Sequence, residues 1–314
     1  MESTLANAKK NTLSEPPTHN KYSVNGYRVD INNDADSHSI LAKNALGSKR
    51  ILDVGCGVGY IGRAIKENQN CIIHGIDIDS TALKYAKKYY DKTILMELGN
   101  KHNDAYLSFL KDRTTYDCII CGDIIEHLVD PGCIISVLAK KLSSGGKILI
   151  SIPNIAYIDI IINLIDERFN YANTGILDNT HLRFWTESSF YEFIENVNNH
   201  YHTTLSPKLI SKTSVHPSDL DTSYFQQVCG DEIFTFQNIF QVKKKDKPNV
   251  PHPHKKTNYH KIITSINTKD QIIANLEAQL AIKDKIIHDM ELSLSWKITK
   301  PLRQANAAFR KHKK

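Results

Sequence analysis

No stretch of this 314-residue chain stays apolar for the ~20 residues that a membrane-spanning helix needs. The longest apolar run, Tyr157–Ile165, is short and broken by Asp159. The first forty residues are polar and rich in Asn, Ser and Lys, without the pattern of a signal peptide. The expectation is a soluble, cytoplasmic protein. Cysteine is sparse: six residues, scattered at 56, 71, 118, 121, 133 and 229. The lone CxxC, Cys118 to Cys121, falls inside the apolar run YDCIICG. Residues three apart on a strand face opposite ways, which argues against shared zinc or redox chemistry and for buried free thiols. Acid is absent from residues 296–314, which carry seven Lys or Arg. Residues 243–261 carry seven Lys against one Asp, and residues 262–295 carry three basic and five acidic groups. The whole chain is +6, so residues 1–242 are left at −5. A mildly acidic main domain argues against a nucleic-acid partner. The cationic end favours contact with an anionic surface, peripheral to the inner face of the plasma membrane.

What the chain does hold is a glycine loop between two apolar runs. Residues Ile51–Gly62 read ILDVGCGVGYIG, and the following run ends in HGIDID with Asp77 at its tip. Glycine lets the backbone approach a ligand closely and adopt φ > 0. A carboxylate at the neighbouring strand tip offers two acceptors to the vicinal hydroxyls of a ribose. The pattern implies a nucleoside-bearing cofactor. Gly57-x-Gly59-x-x-Gly62 also satisfies the dinucleotide fingerprint, which keeps a nicotinamide cofactor in play. A pyrophosphate prefers bare helix N-terminal N–H groups, whereas a sulfonium is better served by carbonyls and carboxylates. The loop's start at Asp53 and the cluster Asp77-Ile78-Asp79 suit the cation.

Ile51–Val54, Cys71–Asp77, Thr93–Leu98, Tyr116–Gly122 and Lys147–Ile152 read as short strands. Ile61–Glu67, Thr81–Tyr89 and Pro131–Leu142 read as helices between them, and Ser143–Gly146 as the turn that stops the last. The rhythm predicts an α/β fold with a doubly wound, mostly parallel sheet. Thr203–Lys212 and Ile233–Lys243 read as a final antiparallel addition, for seven strands in all. Residues 1–36 read as a flexible lead-in, of which Tyr22–Tyr27 could fold over the ligand, and residues 37–243 as the main domain. Residues 244–261 have the composition of a solvated basic linker. Within 262–295, TKDQIIANLEAQLA aligns without gaps to IKDKIIHDMELSLS. Ile266, Ile273, Leu280, Ile287 and Leu294 fill one heptad position, while Lys269, Leu276, Lys283 and Met290 share the other. That period predicts a coiled coil for self-association or a partner helix; a single amphipathic helix docked on the domain is the alternative. In 296–314, Pro301 starts a basic amphipathic tail with Ile298, Leu302, Ala305 and Phe309 along one stripe. It reads either as a membrane-surface helix beside the Trp296 anchor or as a solvated terminus.

The loop at Asp53–Gly59, the Asp77-Ile78-Asp79 cluster and GDIIEHL (Gly122–Leu128) before Asp130-Pro131 resemble the class I S-adenosylmethionine-dependent methyltransferases, with their Rossmann-like fold, from about Leu46 to Val242. SIPN (Ser151–Asn154) and ERFNYANTGILDNTHLRFWT (Glu167–Thr186) resemble methyltransferases encoded with bacterial surface-polysaccharide (O-antigen or capsule) enzymes. SWKITKPLR (Ser295–Arg303) resembles a segment near the ends of glycosyltransferases from that setting. The resemblance implies an O-methyltransferase that uses S-adenosylmethionine on a saccharide or lipid-linked glycan acceptor in surface-glycan biosynthesis, with a glycosyltransferase as partner. Two alternatives stand beside it: a small-molecule O-methyltransferase acting on a quinone precursor or phenol, and a noncatalytic scaffold of a polysaccharide assembly.

Carried over by motif, Gly55, Cys56, Gly57 and Gly59 would cradle the methionine part of the cofactor, and Asp53 would orient the loop or its amino group. Asp77 would bind the ribose and Ile78 would pack on the adenine, with Glu97, Asn100 or Asp104 at the adenine edge. Cys121, Gly122 and Asp123 would line the sulfonium. His127, His181 and Glu126 are the candidate bases, since a hydroxyl acceptor loses a proton as the new bond forms. Asp123-x-x-Glu126-His127 with His181 also resembles the four-ligand metal set of small-RNA 3′-terminal 2′-O-methyltransferases. Such a set would hold Mg²⁺ or Mn²⁺, which could lower a hydroxyl pKa, although Asp in place of the first Glu shortens the reach. Asn154, Tyr157, Tyr171, Arg183 and Trp185 lie where the acceptor should be covered, or serve as core beneath a lid.

Overall fold

Ile51, Leu52 and Val54 are all buried, although successive residues face opposite sides of a strand. Both faces must therefore be covered, as in a parallel sheet wrapped by helices. The computed structural model describes residues 27–100, 102–217, 222–245 and, in a C-terminal helical stretch, 273, 276–278, 280–285 and 288. The elements run α1 (Ser37–Ala45), β1 (Arg50–Val54), α2 (Tyr60–Asn68), β2 (Ile72–Asp77), α3 (Ser80–Ala86), β3 (Lys92–Leu95) and α4 (Asp104–Lys111). There follow β4 (Tyr116–Gly122), a 3-10 turn (Ile125–His127), α5 (Pro131–Lys140), β5 (Leu142–Pro153), α6 (Ile158–Ile165) and α7 (Glu187–Tyr201). The series closes with β6 (Leu205–Ser214), α8 (Ser223–Cys229) and β7 (Thr235–Lys244).

The seven strands lie in the order β3-β2-β1-β4-β5-β7-β6. Strands β1 to β5 are parallel, and β7 runs antiparallel to both β5 and β6. Leu41 of α1, Ile61 and Ile65 of α2 and Leu83 of α3 cover one face over Ile51, Ile73 and Ile120. Phe109 of α4, Ile134 and Leu138 of α5 and Phe190 and Ile194 of α7 cover the other over Leu52, Ile119, Ile148 and Phe240. The doubly wound expectation holds. Strand order reverses between β1 and β4, and a crevice opens at such a switch point beyond the carboxyl ends of the strands.

Local caps fix where helices begin. Asp79 accepts from Thr81 N and Ala82 N at the start of α3, and Asp130 accepts from Cys133 N with Pro131 opening α5. Thr186 and Ser189 form a reciprocal capping box on α7. Three features depart from the sequence reading. The Ser143–Gly146 turn lies inside β5, where Gly145 takes φ +74° and the register against β4 shifts. The run from Tyr157 becomes helix α6 capped by Tyr157, and α4 and α7 join the helices read from sequence. The lead-in is shorter than expected, because Val29 is buried in the core beside α1.

The chain divides into two units. The first carries the sheet. The second contains α8, followed by Gly230 with φ +74°, and the helical residues Ile273, Leu276 and Leu280, the last three all exposed. Residues 1–26, the linker from 246, most of the heptad stretch and the basic tail lie outside the described residues. No helix among the described residues is long and apolar enough to cross a membrane.

Candidate active site

The loop from β1 to α2 turns on left-handed glycines: Gly55, Gly57 and Gly59 have φ of +73°, +52° and +92°. Five of its backbone donors are engaged. Gly55 N and Cys56 N donate to Ile76 O at 2.8 and 3.0 Å, and Gly59 N donates to Cys56 O at 2.9 Å. Gly57 N donates to Asp77 Oδ2 at 2.7 Å, and Gly62 N donates to the Tyr90 hydroxyl at 3.1 Å. Residues 53–62 and 77–79 include no Lys or Arg. A pyrophosphate would find neither free donors among these groups nor a positive side chain. The engaged glycine donors and the acidic tip at Asp77 favour a cationic thioether nucleoside over a dinucleotide.

Beneath the loop, Asp53 is 2% exposed and accepts from Tyr90 Oη at 2.5 Å. Burial pushes its pKa up to about 7, while the Tyr90 hydrogen bond pulls the other way. Asp53 is thereby linked through Tyr90 to Gly62 N at the start of α2. Tyr90 escaped sequence analysis. A Cβ on Gly62 would stand 2.3 Å from Tyr90 Cζ, so the third glycine of the fingerprint makes room for this ring. The Cys56 thiol packs toward Gly75 of β2, leaving its backbone to the loop.

At the tip of β2, Asp77 holds Gly57 N with one oxygen and Asp79 N with the other at 2.8 Å. Ile78 is 66% exposed, an apolar platform at the crevice. Met96 N donates to Asp77 O at 2.9 Å, which ties the chain after β3 to this tip. There Asn100 Nδ2 donates to Glu97 Oε2 at 2.7 Å. Asp104 lies instead in the first turn of α4.

The β4 tip abuts the loop: a Cβ on Gly55 would meet Ile124 Cδ1 at 2.8 Å. Asp123 takes φ +48° and is clamped across the sheet end. Ser151 Oγ donates to Asp123 Oδ1 at 2.8 Å, and Gln237 Nε2 contacts both carboxylate oxygens at 2.9 and 2.8 Å. The four-ligand metal set is corrected by this clamp, which turns Asp123 toward β5 and β7. Cys121 is also corrected. Its thiol is wholly buried in the core under α4 and α5, and burial raises its pKa.

Glu126, His127 and His181 do come together, with one ligand atom from each lying within 4.8 Å of the others. The imidazole rings meet edge-on, 4.7 Å between centroids. His181 Nδ1 lies 2.8 Å from Ile176 O, and His127 Nδ1 lies 3.2 Å from Thr180 O. A carbonyl only accepts, so each Nδ1 carries a proton. Glu126 is buried, and its own carbonyl accepts from Leu182 N and Arg183 N at 2.8 and 3.1 Å. The loop 175–183 is thus latched onto the 3-10 turn. Two imidazoles and a carboxylate can take up a proton or hold a divalent cation.

Among the acceptor candidates, Trp185 is core, buried against Phe190 and Phe193. Asn154 is buried and donates to Thr235 O at 2.9 Å, and Tyr157 is buried against Phe236. Arg183 latches the loop through Val129 O at 2.8 Å. Tyr171 is 55% exposed and forms an aromatic cluster with Phe169 and Phe184, whose ring lies 6.3 Å from that of His181.

A family model described as a methyltransferase domain matches residues 33–201. A ubiquinone biosynthesis O-methyltransferase of Coxiella burnetii is 27% identical over 166 residues, covering 50% of this chain and 69% of that protein. One named likewise from Idiomarina loihiensis is 31% identical over 115 residues, or 35% of this chain and 45% of that protein. A SAM-dependent methyltransferase structure from Archaeoglobus fulgidus aligns at 15% identity and TM-score 0.44, over 66% of this chain and 94% of that one. These relatives overturn the saccharide acceptor and the surface-glycan setting. The expected sequence likeness rested on short segments around the lid and terminus, whereas the curated matches carry quinone-pathway names. The chain belongs to the methyltransferase domain family, as a class I enzyme that uses S-adenosylmethionine.

Proposed function

We propose that this enzyme methylates a phenolic oxygen on a small aromatic acceptor of the quinone-precursor type. The carrying observation is the pair His127 and His181, each with Nδ1 tied to a carbonyl and the two rings 4.7 Å apart. The names of the curated relatives support the acceptor class. The exposed rings of Phe169 and Tyr171, with the half-buried Phe184 between them and His181, offer an aromatic wall next to the imidazoles. S-adenosylmethionine, when bound, supplies a methyl group on a positively charged sulfur. In this reading the left-handed loop at Gly55, Gly57 and Gly59 cradles its methionine part. Asp77 and Ile78 take the ribose and adenine, with Asn100 at the adenine edge, and Gly122 and Asp123 lie near the sulfur. A phenol has an ordinary pKa of about 10, so its proton must be taken as the oxygen attacks. His127 or His181 takes it at Nε2, with the Glu126 carboxylate beside them stabilising the imidazolium.

The same three side chains support a second reading. One carboxylate and two imidazoles suit Mn²⁺ better than Mg²⁺, which favours oxygen ligands. Held there, a cation would lower the acceptor's pKa. The test is to incubate purified protein with S-adenosylmethionine and a panel of catechols, phenols, amines and thiols, and to measure S-adenosylhomocysteine release. Turnover confined to catechols and phenols is expected. Turnover only with amines or thiols would overturn the reading.

A further inference from the structure

The loop that carries His181 also holds a relay that neither the fold nor the family description assigns. Thr180 Oγ1 lies 2.5 Å from Asp178 Oδ1 and 3.0 Å from His127 Nδ1. Asp178 is 2% exposed, and its Oδ1 also accepts from Thr180 N at 2.9 Å. A hydroxyl has one proton and can point it either way. Thr180 Oγ1 donates to Asp178 Oδ1, so Asp178 claims the Thr180 proton and presents the oxygen's lone pair to His127 Nδ1–H. Without that carboxylate the hydroxyl could turn round and donate to Nδ1. It would then compete with the Thr180 carbonyl and move the ring proton to Nε2, the atom the reaction needs bare. We propose that Asp178, acting through Thr180, is a positioning residue that fixes the tautomer of His127. The inference rests on the reading of His127 as a group that uses its Nε2 lone pair. His181 provides an internal reference, because its Nδ1 is held by Ile176 O rather than by the relay.

The experiment is nitrogen-15 NMR of histidine-labelled, full-length protein freed of metal, with initial rates on a catechol acceptor in parallel. Asp178→Asn keeps an oxygen for the Thr180 backbone turn, and Asp178→Ala removes it. The expected result is a graded loss of the Nδ1–H form at His127, larger for Ala, with the His181 signals unmoved. The rate should fall about tenfold to a hundredfold in kcat, with KM for both substrates nearly unchanged. Adding Thr180→Val to either variant should restore the Nδ1–H form, since no hydroxyl remains to donate and the carbonyl still accepts. An unchanged His127 tautomer in both single variants would overturn the relay. So would failure of Thr180→Val to restore it, because a merely structural role for Asp178 predicts no rescue. If His127→Ala kept full turnover while these NMR shifts appeared, the reading of His127 would fall and the relay would stand.

Discussion

The Tyr90 hydroxyl donates to Asp53 Oδ2 at 2.5 Å and accepts from Gly62 N at 3.1 Å, both within the core below the glycine loop. One side chain thereby satisfies a buried carboxylate and an otherwise orphaned donor at the start of α2. The loop's shape depends on that bond. Tyr90→Phe should cost about 1–3 kcal/mol of stability, because two buried polar groups lose a partner. Urea denaturation checks the cost, and calorimetry should show weaker binding of S-adenosylhomocysteine.

Asp53 gives stability a pH dependence of unusual sign. Its folded pKa of about 7 lies above the ordinary aspartate value of about 3.9. Between those values the folded protein keeps a proton that the unfolded chain releases. Its stabilising contribution is full below about pH 4 and is lost as pH rises through 7, with a slope of at most about 1.4 kcal/mol per pH unit. Asp53→Asn should flatten that slope, as read from denaturation midpoints across pH 5 to 8.

Gly62→Ala should destabilise the fold by about 1–3 kcal/mol through overpacking. The new methyl would overlap Tyr90, whose ring is itself pinned by Asp53 and buried. The double variant with Tyr90→Ala should recover part of the loss from Gly62→Ala, a coupling that a double-mutant cycle measures.

Removing an imidazole separates chemistry from donor binding. His127→Ala and His181→Ala should each lower kcat by about 10²–10⁴, while the affinity for S-adenosylhomocysteine stays within about twofold of the parent. Activity that survives exhaustive chelation assigns the three side chains to proton transfer; activity lost and restored by Mn²⁺ assigns them to a metal.

The glycine loop and the acidic strand tip beside it were legible in sequence because their parts are local. A strand, three alternating glycines and an acid at the next strand tip are read directly from Ile51–Asp77. Tyr90 was not legible, since it reaches Asp53 across 37 residues through the packing of α2 against the segment after α3. The Asp123 clamp was hidden for the same reason. Gln237 lies 114 residues away and comes within reach only because β7 inserts beside β5. His127 and His181 were singled out by residue type, but their shared tautomer depends on carbonyls that only the folded 175–181 loop presents. The acceptor was misread because short lid and tail segments carry less information than the domain itself, and Trp185 and Asn154 proved to be packing.

The central claim is that the imidazole pair takes the proton of an aromatic hydroxyl as its oxygen receives the methyl group. Supplying carbon-13 methyl-labelled S-adenosylmethionine with a catechol acceptor, then reading the product by carbon NMR, tests it most directly. An aromatic methoxy carbon, absent when His127 and His181 are both replaced by Ala, is the predicted result. Label found on nitrogen, sulfur or carbon, or an aromatic methoxy formed equally well without both histidines, would contradict it.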